Sequence, residues 1–510
     1  MTERSERGGS HRDDRGGHGE RRYRGGSGGG DRGDRGYRGG DRGDRGYRGG
    51  SGGGDRGHRG SDRGYRGRER GRSRRVYDDE PRDGLLADLI GHLHALDGRS
   101  YAAYKAIVGR YRAPAGWFLH IDRVQSDPYA PPTRIHVDVP TDLHGLELLD
   151  EADLLADVDR RLAVGDFLTR ELHAGFRGTA LSIASPGQEI LQRSSIILRP
   201  DEKKEGAGWI LEARARLALP AQGRSIQGHE ASRIVGRDLV RELEEAMDLT
   251  GERGDRLVHH IATLEDHRAL TATAARNGWV SFLADGSVLP RRSGVSDEPL
   301  DGGVPLEAPE SMAATVELPH AGTVRGTVVE AGVNVIVGGG YHGKSTLLSA
   351  IERGVYPHVP GDGRELVATV PDAVKVRAAD GRAVTGVDLT PFISHLPAGR
   401  DTASFTTRNA SGSTSQAASI IEAVEAGSTV LLLDEDTSAT NLLIRDSRMR
   451  ELVAADREPI TPLVDRITAL FRRRGVSTVM VMGGSGDYLD VADRVLLMDA
   501  YHLRDVTEQA

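Results

Sequence analysis

Residues Val333 to Ser349 read VNVIVGGGYHGKSTLLS, and their types and spacing suit the binding of a nucleoside triphosphate. An apolar run (Val333, Val335, Ile336, Val337) gives way to Gly338, Gly339 and Gly340, and an apolar segment with helical spacing follows. Gly338 to Ser345 fits G-x-x-x-x-G-K-[ST], the phosphate-binding loop, in the strand-before and helix-after context that the pattern requires. The glycines let several backbone N–H groups converge on phosphate oxygens, and the helix starting near Gly343 points its positive end at the same charge. Lys344 is expected to reach the β- and γ-phosphates and the Ser345 hydroxyl to ligate Mg²⁺, with Tyr341, His342, Gly343 and Thr346 completing the loop around ATP. Five lysines occur among 68 Lys+Arg, so a lysine in this slot is no accident of composition. A glycine-rich turn with a chance match is the weaker reading.

The second chemical stretch is Val430–Asn441, VLLLDEDTSATN. Its four apolar residues read as a buried strand, and Asp434 stands at the C-terminal end, where an open α/β sheet places its ligands. Asp434 is the expected Walker B carboxylate, holding Mg²⁺ directly or through water, and Glu435 beside it could polarise the attacking water. Two adjacent acids could also be a solvated turn, a reading weakened by the phosphate loop roughly 90 residues upstream. Between the two stretches lies Asn409–Gln416, NASGSTSQ, followed by a helical pattern (Ala417, Ile420, Ile421, Val424) that ends at Gly427. Ser411, Gly412 and Ser413 fall at that helix's N-terminus, another place for an anion.

The elements that must carry these stretches follow from the rest of the chain. At 510 residues there is room for two or three domains and a sizeable core. The absence of cysteine excludes disulfide frameworks and thiolate metal sites. The N-terminus, MTERSERGGS, lacks an apolar leader, and no stretch approaches the ~18 apolar residues of a membrane span, so a cytoplasmic protein without membrane contact is expected. Residues 1–75 hold 22 arginines and 12 acids, a local charge of +10, which leaves −18 on residues 76–510 of the total −8. This tail repeats DRGDRGYRGG at 31–40 and 41–50 and has almost no aliphatic residues, so it should be disordered. Arginine and tyrosine (Tyr23, Tyr37, Tyr47, Tyr65) interleaved with glycine is the composition of segments that bind RNA by phosphate pairing and base stacking. Interleaved Asp31, Asp34, Asp41 and Asp44 dilute that charge and leave open a merely solubilising tail.

Order is expected from Asp83, a candidate N-cap for a helix carrying Leu86, Leu89, Ile90, Leu93 and Leu96. Ile135, Val137 and Val139 alternate with polar residues up to Pro140, and Leu211 to Leu219 alternate likewise before Pro220, as strands do. Arg99–Tyr111 holds Lys105 among three tyrosines and reads either as a nucleotide or RNA contact or as a solvated helix with half-buried rings. His120 and His136 read as isolated strand residues, and Ala284–Asp297 reads as a loop exposing Arg291 and Arg292.

The serine–glycine turn just upstream of Asp434 resembles the signature loop of ABC ATPases, which closes on the γ-phosphate bound by the opposite subunit, and Ser438–Asn441 resembles their D-loop. With IVGGGYHGKSTLL, LLLDEDTSATN, VMGGSGDYLDVADRV and ADGSVLPRRSGVSD, the chain resembles over about residues 80–505 the family called "predicted ATPase of the ABC class". The resemblance implies a homodimeric ATPase using ATP and Mg²⁺ that handles RNA, since a relative in kinetoplastid mitochondria associates with RNA-editing complexes. Composition, periodicity and the resemblance together give an α/β fold: a disordered tail at 1–80, a mixed α/β N-terminal domain at 81–300 and, as the resemblance implies, an ABC-type P-loop ATPase domain at 301–510. Two departures stand out. Gly483-Gly484-Ser485-Gly486-Asp487 occupies the place of the switch histidine, and no glutamine precedes Gln416 after the phosphate loop, leaving Pro391–Pro397 as the candidate Q-loop region. Slow turnover is the resulting expectation, with nucleotide setting dimer closure. The alternative function is a nucleotide-gated protein-assembly or DNA-associated factor whose tail serves only solubility or self-association.

Overall fold

The computed structural model describes residues 82–202, 208–396, 399, 401–444 and 458–510. The arginine-rich tail, expected to be disordered, lies outside the described residues. In the N-terminal half, β1 (Arg82–Leu85), α1 (Leu86–Ala95), β2 (Gly109–Arg112), β3 (Phe118–Arg123), β4 (Thr133–Pro140), α2 (Val158–Gly175), β5 (Leu181–Ser182), β6 (Ile196–Pro200) and β7 (Trp209–Leu217) build a seven-stranded sheet and its helices. The strand order is β1-β2-β3-β4-β7-β5, with β6 also paired to β7. Alternation along β4 and β7 turns Ile135, Val137, Leu211, Ala213 and Leu217 into one core with Leu89 and Leu93 of α1 and Phe167 and Leu168 of α2. The other face of these strands stays polar.

α1 starts at Leu86, two residues later than Asp83 as N-cap would give, and Asp83 lies in β1 instead. Asp88 takes over the capping, its carboxylate accepting the Leu85 N–H at 2.9 Å from within the first turn. The three tyrosines of Arg99–Tyr111 are buried rather than half-buried, which removes their rings from ligand contact and leaves Lys105 as the exposed part of that cluster. Their hydroxyls donate inward to the carbonyls of Leu219, Pro220 and Ile107.

The C-terminal half follows α3 (Glu252–Asn277) and begins with β8 (Trp279–Ala284). A hairpin, β9 (Arg291–Ser293) and β10 (Ser296–Pro299), replaces the expected loop there. Arg291 is not exposed as expected: Nη1 and Nη2 donate to the buried Asp362 carboxylate at 2.8 and 3.3 Å. β11 (Ala313–Leu318), β12 (Gly322–Glu330) and β14 (Val367–Thr369) join β8 in a four-stranded antiparallel sheet ordered β11-β12-β8-β14. The second sheet holds β13 (Val333–Gly338), β15 (Ala373–Lys375), β16 (Val430–Asp434), β17 (Ser477–Val481), β18 (Arg494–Asp499) and β19 (His502–Asp505), with α4 (Lys344–Arg353) and α5 (Gly412–Glu425) beside it. Its order is β15-β16-β17-β13-β18-β19, parallel up to the antiparallel edge strand β19. Parallel strands covered on both faces explain why Val430–Leu433 and Val333–Ile336 read as continuous buried runs. Among the described residues, no helix is long and apolar enough to cross a membrane.

Candidate functional site

The C-terminal ends of β13, β16 and β17 bring the two motif stretches to one edge of the six-stranded sheet. The loop after β13 is a backbone cradle. Gly338 has φ 144° and a Cβ there would stand 2.3 Å from the Met498 carbonyl oxygen, so no other residue fits without moving β18. Gly343 has φ 99°, and its Cβ would meet the Tyr501 ring at 2.7 Å. Tyr341 also adopts φ 64° with its side chain fully exposed, while the His342 ring turns back, its Nδ1 accepting the Ala500 N–H at 3.2 Å near Asp499. His342 therefore pins the loop to the turn after β18. Lys344 Nζ donates to the Gly338 and Gly339 carbonyls at 2.8 and 2.9 Å, lying across the cradle. Ser345 and Thr346 open α4 beneath it, with Ser345 exposed.

Asp434 is buried at the end of β16, and its carboxylate accepts the Asp436 N–H at 3.2 Å. Glu435 follows, half-buried, and its Oε2 accepts the backbone N–H groups of Gly483 and Gly484. A hard oxygen set (Ser345, Asp434) beside a glycine cradle and an ammonium fits Mg²⁺ with a polyphosphate. Ser411 N-caps α5, accepting from Thr414 N, and the turn Ser411–Ser413 makes no hydrogen bond to the phosphate loop of its own chain among the described residues.

Several residues of the site escape motif reading. Gln416 ties α5 to the segment after Asp434: its amide donates to Ser438 Oγ, and its Oε1 accepts the Ala439 N–H, both at 2.8 Å. Of the candidate region Pro391–Pro397, Pro397 lies outside the described residues, and the rest is not the segment beside Asp434. Phe392 and Ile393 are buried in the core with residues such as Leu463, while the strand that borders β16 on the side away from β17 is β15, which leads Arg377–Asp380 past Asp434. Val376 N–H donates to Leu432 and Ala378 N–H to Thr437, which fixes that register. A cavity of about 550 Å³ opens beside α4, with Ser345, Thr346, Arg291, Arg364 and Arg377 among its lining residues. Burial, with Arg291 nearby, pulls the Arg364 guanidinium down to about 10. The alternation of β15 is too short to reveal Arg377 from sequence.

His120 and His136 are not isolated. They face each other across β3 and β4 with rings stacked 4.1 Å apart and 11° from parallel. Their nitrogens and Asp138 lie within 4.8 Å of one another, but Arg199 already donates to Asp138 at 2.9 Å, and a guanidinium there opposes a metal ion.

A parallel sheet carrying a glycine cradle and a buried carboxylate on the two strands flanking β17 is the framework of a P-loop domain. Residues 253–510 match the P-loop domain of the ABC_ATPase family, and residues 86–249 match the family described as "ATPase of the ABC class N-terminal". The chain belongs to this family of ABC-class ATPases. An uncharacterized protein of Methanocaldococcus jannaschii is 28% identical over 263 residues, which are 46% of this chain and 58% of that protein. The chain thus spans little more than half the length of the curated relative it matches. Similar solved structures include the ADP conformation of an ABC transporter's ATP-binding cassette (12% identity, TM-score 0.24, covering 35% of this chain and 82% of that one). Another is cbiO1 from Clostridium perfringens, part of the ABC transporter complex cbiONQ (11% identity, TM-score 0.27, covering 44% and 87%).

Proposed function

We propose that this chain is an ABC-class ATPase that binds ATP with Mg²⁺ between two copies of itself in the cytoplasm, hydrolyses it slowly, and couples closure to RNA. The observation that carries this reading is the shared sheet edge of Lys344, Ser345, Asp434 and Glu435, with Ser411–Ser413 turned to no partner in its own phosphate loop. In the reading, the N–H groups of Gly338 to Thr346 hold the phosphates, Lys344 leaves the Gly338 and Gly339 carbonyls for the β- and γ-phosphates, and Ser345 and Asp434 hold Mg²⁺. The bound ion supplies charge neutralisation on the phosphate oxygens. Glu435 accepts a proton from the attacking water at the carboxylate that Gly483 and Gly484 hold. That hold replaces the missing switch histidine with backbone donors that take no proton, which supports slow turnover. The partner copy's Ser411, Gly412 and Ser413 close on the γ-phosphate.

The RNA part rests on the arginine, tyrosine and glycine composition of the tail. ATP hydrolysis measured with and without structured and single-stranded RNA tests it, in wild type, Lys344→Ala and a deletion of residues 1–75. Stimulation that vanishes in Lys344→Ala supports an RNA-coupled ATPase. Hydrolysis indifferent to every RNA overturns that coupling in favour of a nucleotide-gated protein-assembly role.

A further inference from the structure

The polar face of the N-terminal sheet carries cations in register. Arg134 of β4 is the direct cross-strand partner of Arg216 of β7, Arg216 is in turn the partner of Ser182 of β5, and Arg123 of β3 is the partner of Arg134 across a bulge. Strands are spaced about 4.8 Å apart, so the row of three arginines spans about 10 Å. All three are exposed, and none of their side chains has a hydrogen bond or ion pair to any described residue. Beside them on the same face Arg199 pairs with Asp138 and Glu212, and Arg214 with Glu212. Like charges directly opposite one another destabilise a sheet unless an anion joins them.

The space above the Arg134–Arg216 pair is a cleft of about 620 Å³ between the sheet and the segments around Ser182–Ser185 and Ser194. Arg134, Arg214 and Arg216 line it with the exposed hydroxyls of Ser182, Ser185 and Ser194. Asp122 is the acid in the lining, and it is engaged by His136 Nδ1 at 2.8 Å. Unpaired guanidinium groups with hydroxyl donors recognise phosphate. The imidazole of His136, stacked on His120, adds a planar ring beside the cations, on which an unpaired base can stack.

We propose that this cleft binds the phosphodiester backbone of single-stranded RNA, with Arg134 and Arg216 as its central phosphate contacts. The proposal deepens the RNA-coupled reading above and rests on it. It places RNA on the folded domain, some of it independent of the tail's own contacts.

The test uses the full chain. Binding of a fluorescent single-stranded 12-mer RNA is followed by polarisation from about 50 to 200 mM salt, in wild type, Arg134→Gln/Arg216→Gln, and Arg276→Gln as a surface-charge control. The double variant should bind at least about 10-fold more weakly at low salt, and its log K against log salt slope should be shallower by about 1.4, two contacts at about 0.7 each. Arg134→Lys/Arg216→Lys should restore most of the binding, which separates lost charge from lost folding. Unchanged affinity and slope in the glutamine variant overturn the cleft, as does loss of inorganic pyrophosphate binding with RNA binding intact, which would make it a small-anion site. If RNA stimulation of ATP hydrolysis survives at saturating RNA while the cleft variants bind RNA normally, the proposed function stands and only the cleft falls. If wild type binds no RNA, both fall.

Discussion

Glu435 accepts the backbone N–H of Gly484 at 3.1 Å, together with that of Gly483, although the two glycines lie almost 50 residues further along the chain. The contact exists because β16 and β17 are adjacent parallel strands in register, Asp434 opposite Val481, so that their C-terminal loops emerge side by side. A carboxylate held by two amide donors is well placed but restrained. To take a proton from water it must share or give up those bonds, and donors to a charged group contribute roughly 1.5–3 kcal/mol each.

Glu435→Gln keeps the size of the side chain and removes the proton acceptor. Single-turnover hydrolysis should fall by about 10²- to 10⁴-fold, the range for loss of a general base, while ATP binding persists. The ATP-bound dimer should then accumulate, read by light scattering behind size-exclusion chromatography. A dimer fraction in this variant that ATP leaves unchanged would sink the sandwich model.

Arg377 follows β15, shares a cavity with Ser345 and Thr346, and among the described residues has only a distant ion pair to Glu352, at 3.9 Å. Lys375 takes the closer place on Glu352 at 2.7 Å. In the proposed ATP complex this guanidinium, in one cavity with Ser345, would contact the γ-phosphate. Arg377→Ala should lower kcat about 10-fold or more with little change in the affinity for ADP, since loss of one charge-assisted contact of about 1.5 kcal/mol corresponds to that factor. Equal weakening of ADP and ATP binding with kcat intact would make Arg377 an ordinary binding residue.

The parts of the site visible in sequence are those written in consecutive residues. The glycine cradle with Lys344, the strand ending at Asp434 and the Ser411 cap each declare themselves through local pattern and flanking apolar runs. What sequence hid was made by strand order. Arg377 reaches the site because β15, more than 50 residues before Asp434, pairs with β16, and the His120–His136 stack and the Arg134–Arg216 pair exist only once β3, β4 and β7 are in register. The tyrosines of Arg99–Tyr111 misled because a 3₁₀ segment, Tyr101–Ile107, and the strand β2 after it bury rings that one continuous helix would leave half-exposed. Arg291 misled because its partner, Asp362, lies 71 residues away.

That Arg291–Asp362 pair anchors the β9–β10 hairpin beside the phosphate-loop cavity. Asp362 is fully buried and also accepts His358 Nδ1 at 2.7 Å. Asp362→Asn strands a nearly buried guanidinium, and breaking such a pair typically costs about 3–5 kcal/mol. The urea midpoint should drop accordingly, and limited proteolysis should cut first within Arg291–Pro299. A midpoint within experimental error of wild type would show that the hairpin is held by other contacts.

His267 of α3 donates from Nε2 to the Gly354 carbonyl at 3.0 Å, tying the long helix to the C-terminal end of α4, and its Nδ1 is buried without a partner. Burial holds the ring neutral, its pKa pulled down to about 4 from 6.5. Between those values the unfolded chain binds a proton that the folded chain refuses, so stability falls as pH drops from about 6.5 towards 4. At pH 5 this one group removes about 2 kcal/mol relative to neutral pH. His267→Gln cannot titrate. Its absolute stability will be lower for want of fit, but its change in unfolding free energy between pH 7 and pH 5 should be smaller than that of wild type by about 2 kcal/mol. His260, shifted the same way by its own burial, contributes equally to both proteins and cancels in the difference. Parallel pH profiles would mean that the folded protein admits a proton at His267, and with it water to the junction between α3 and the phosphate-loop helix.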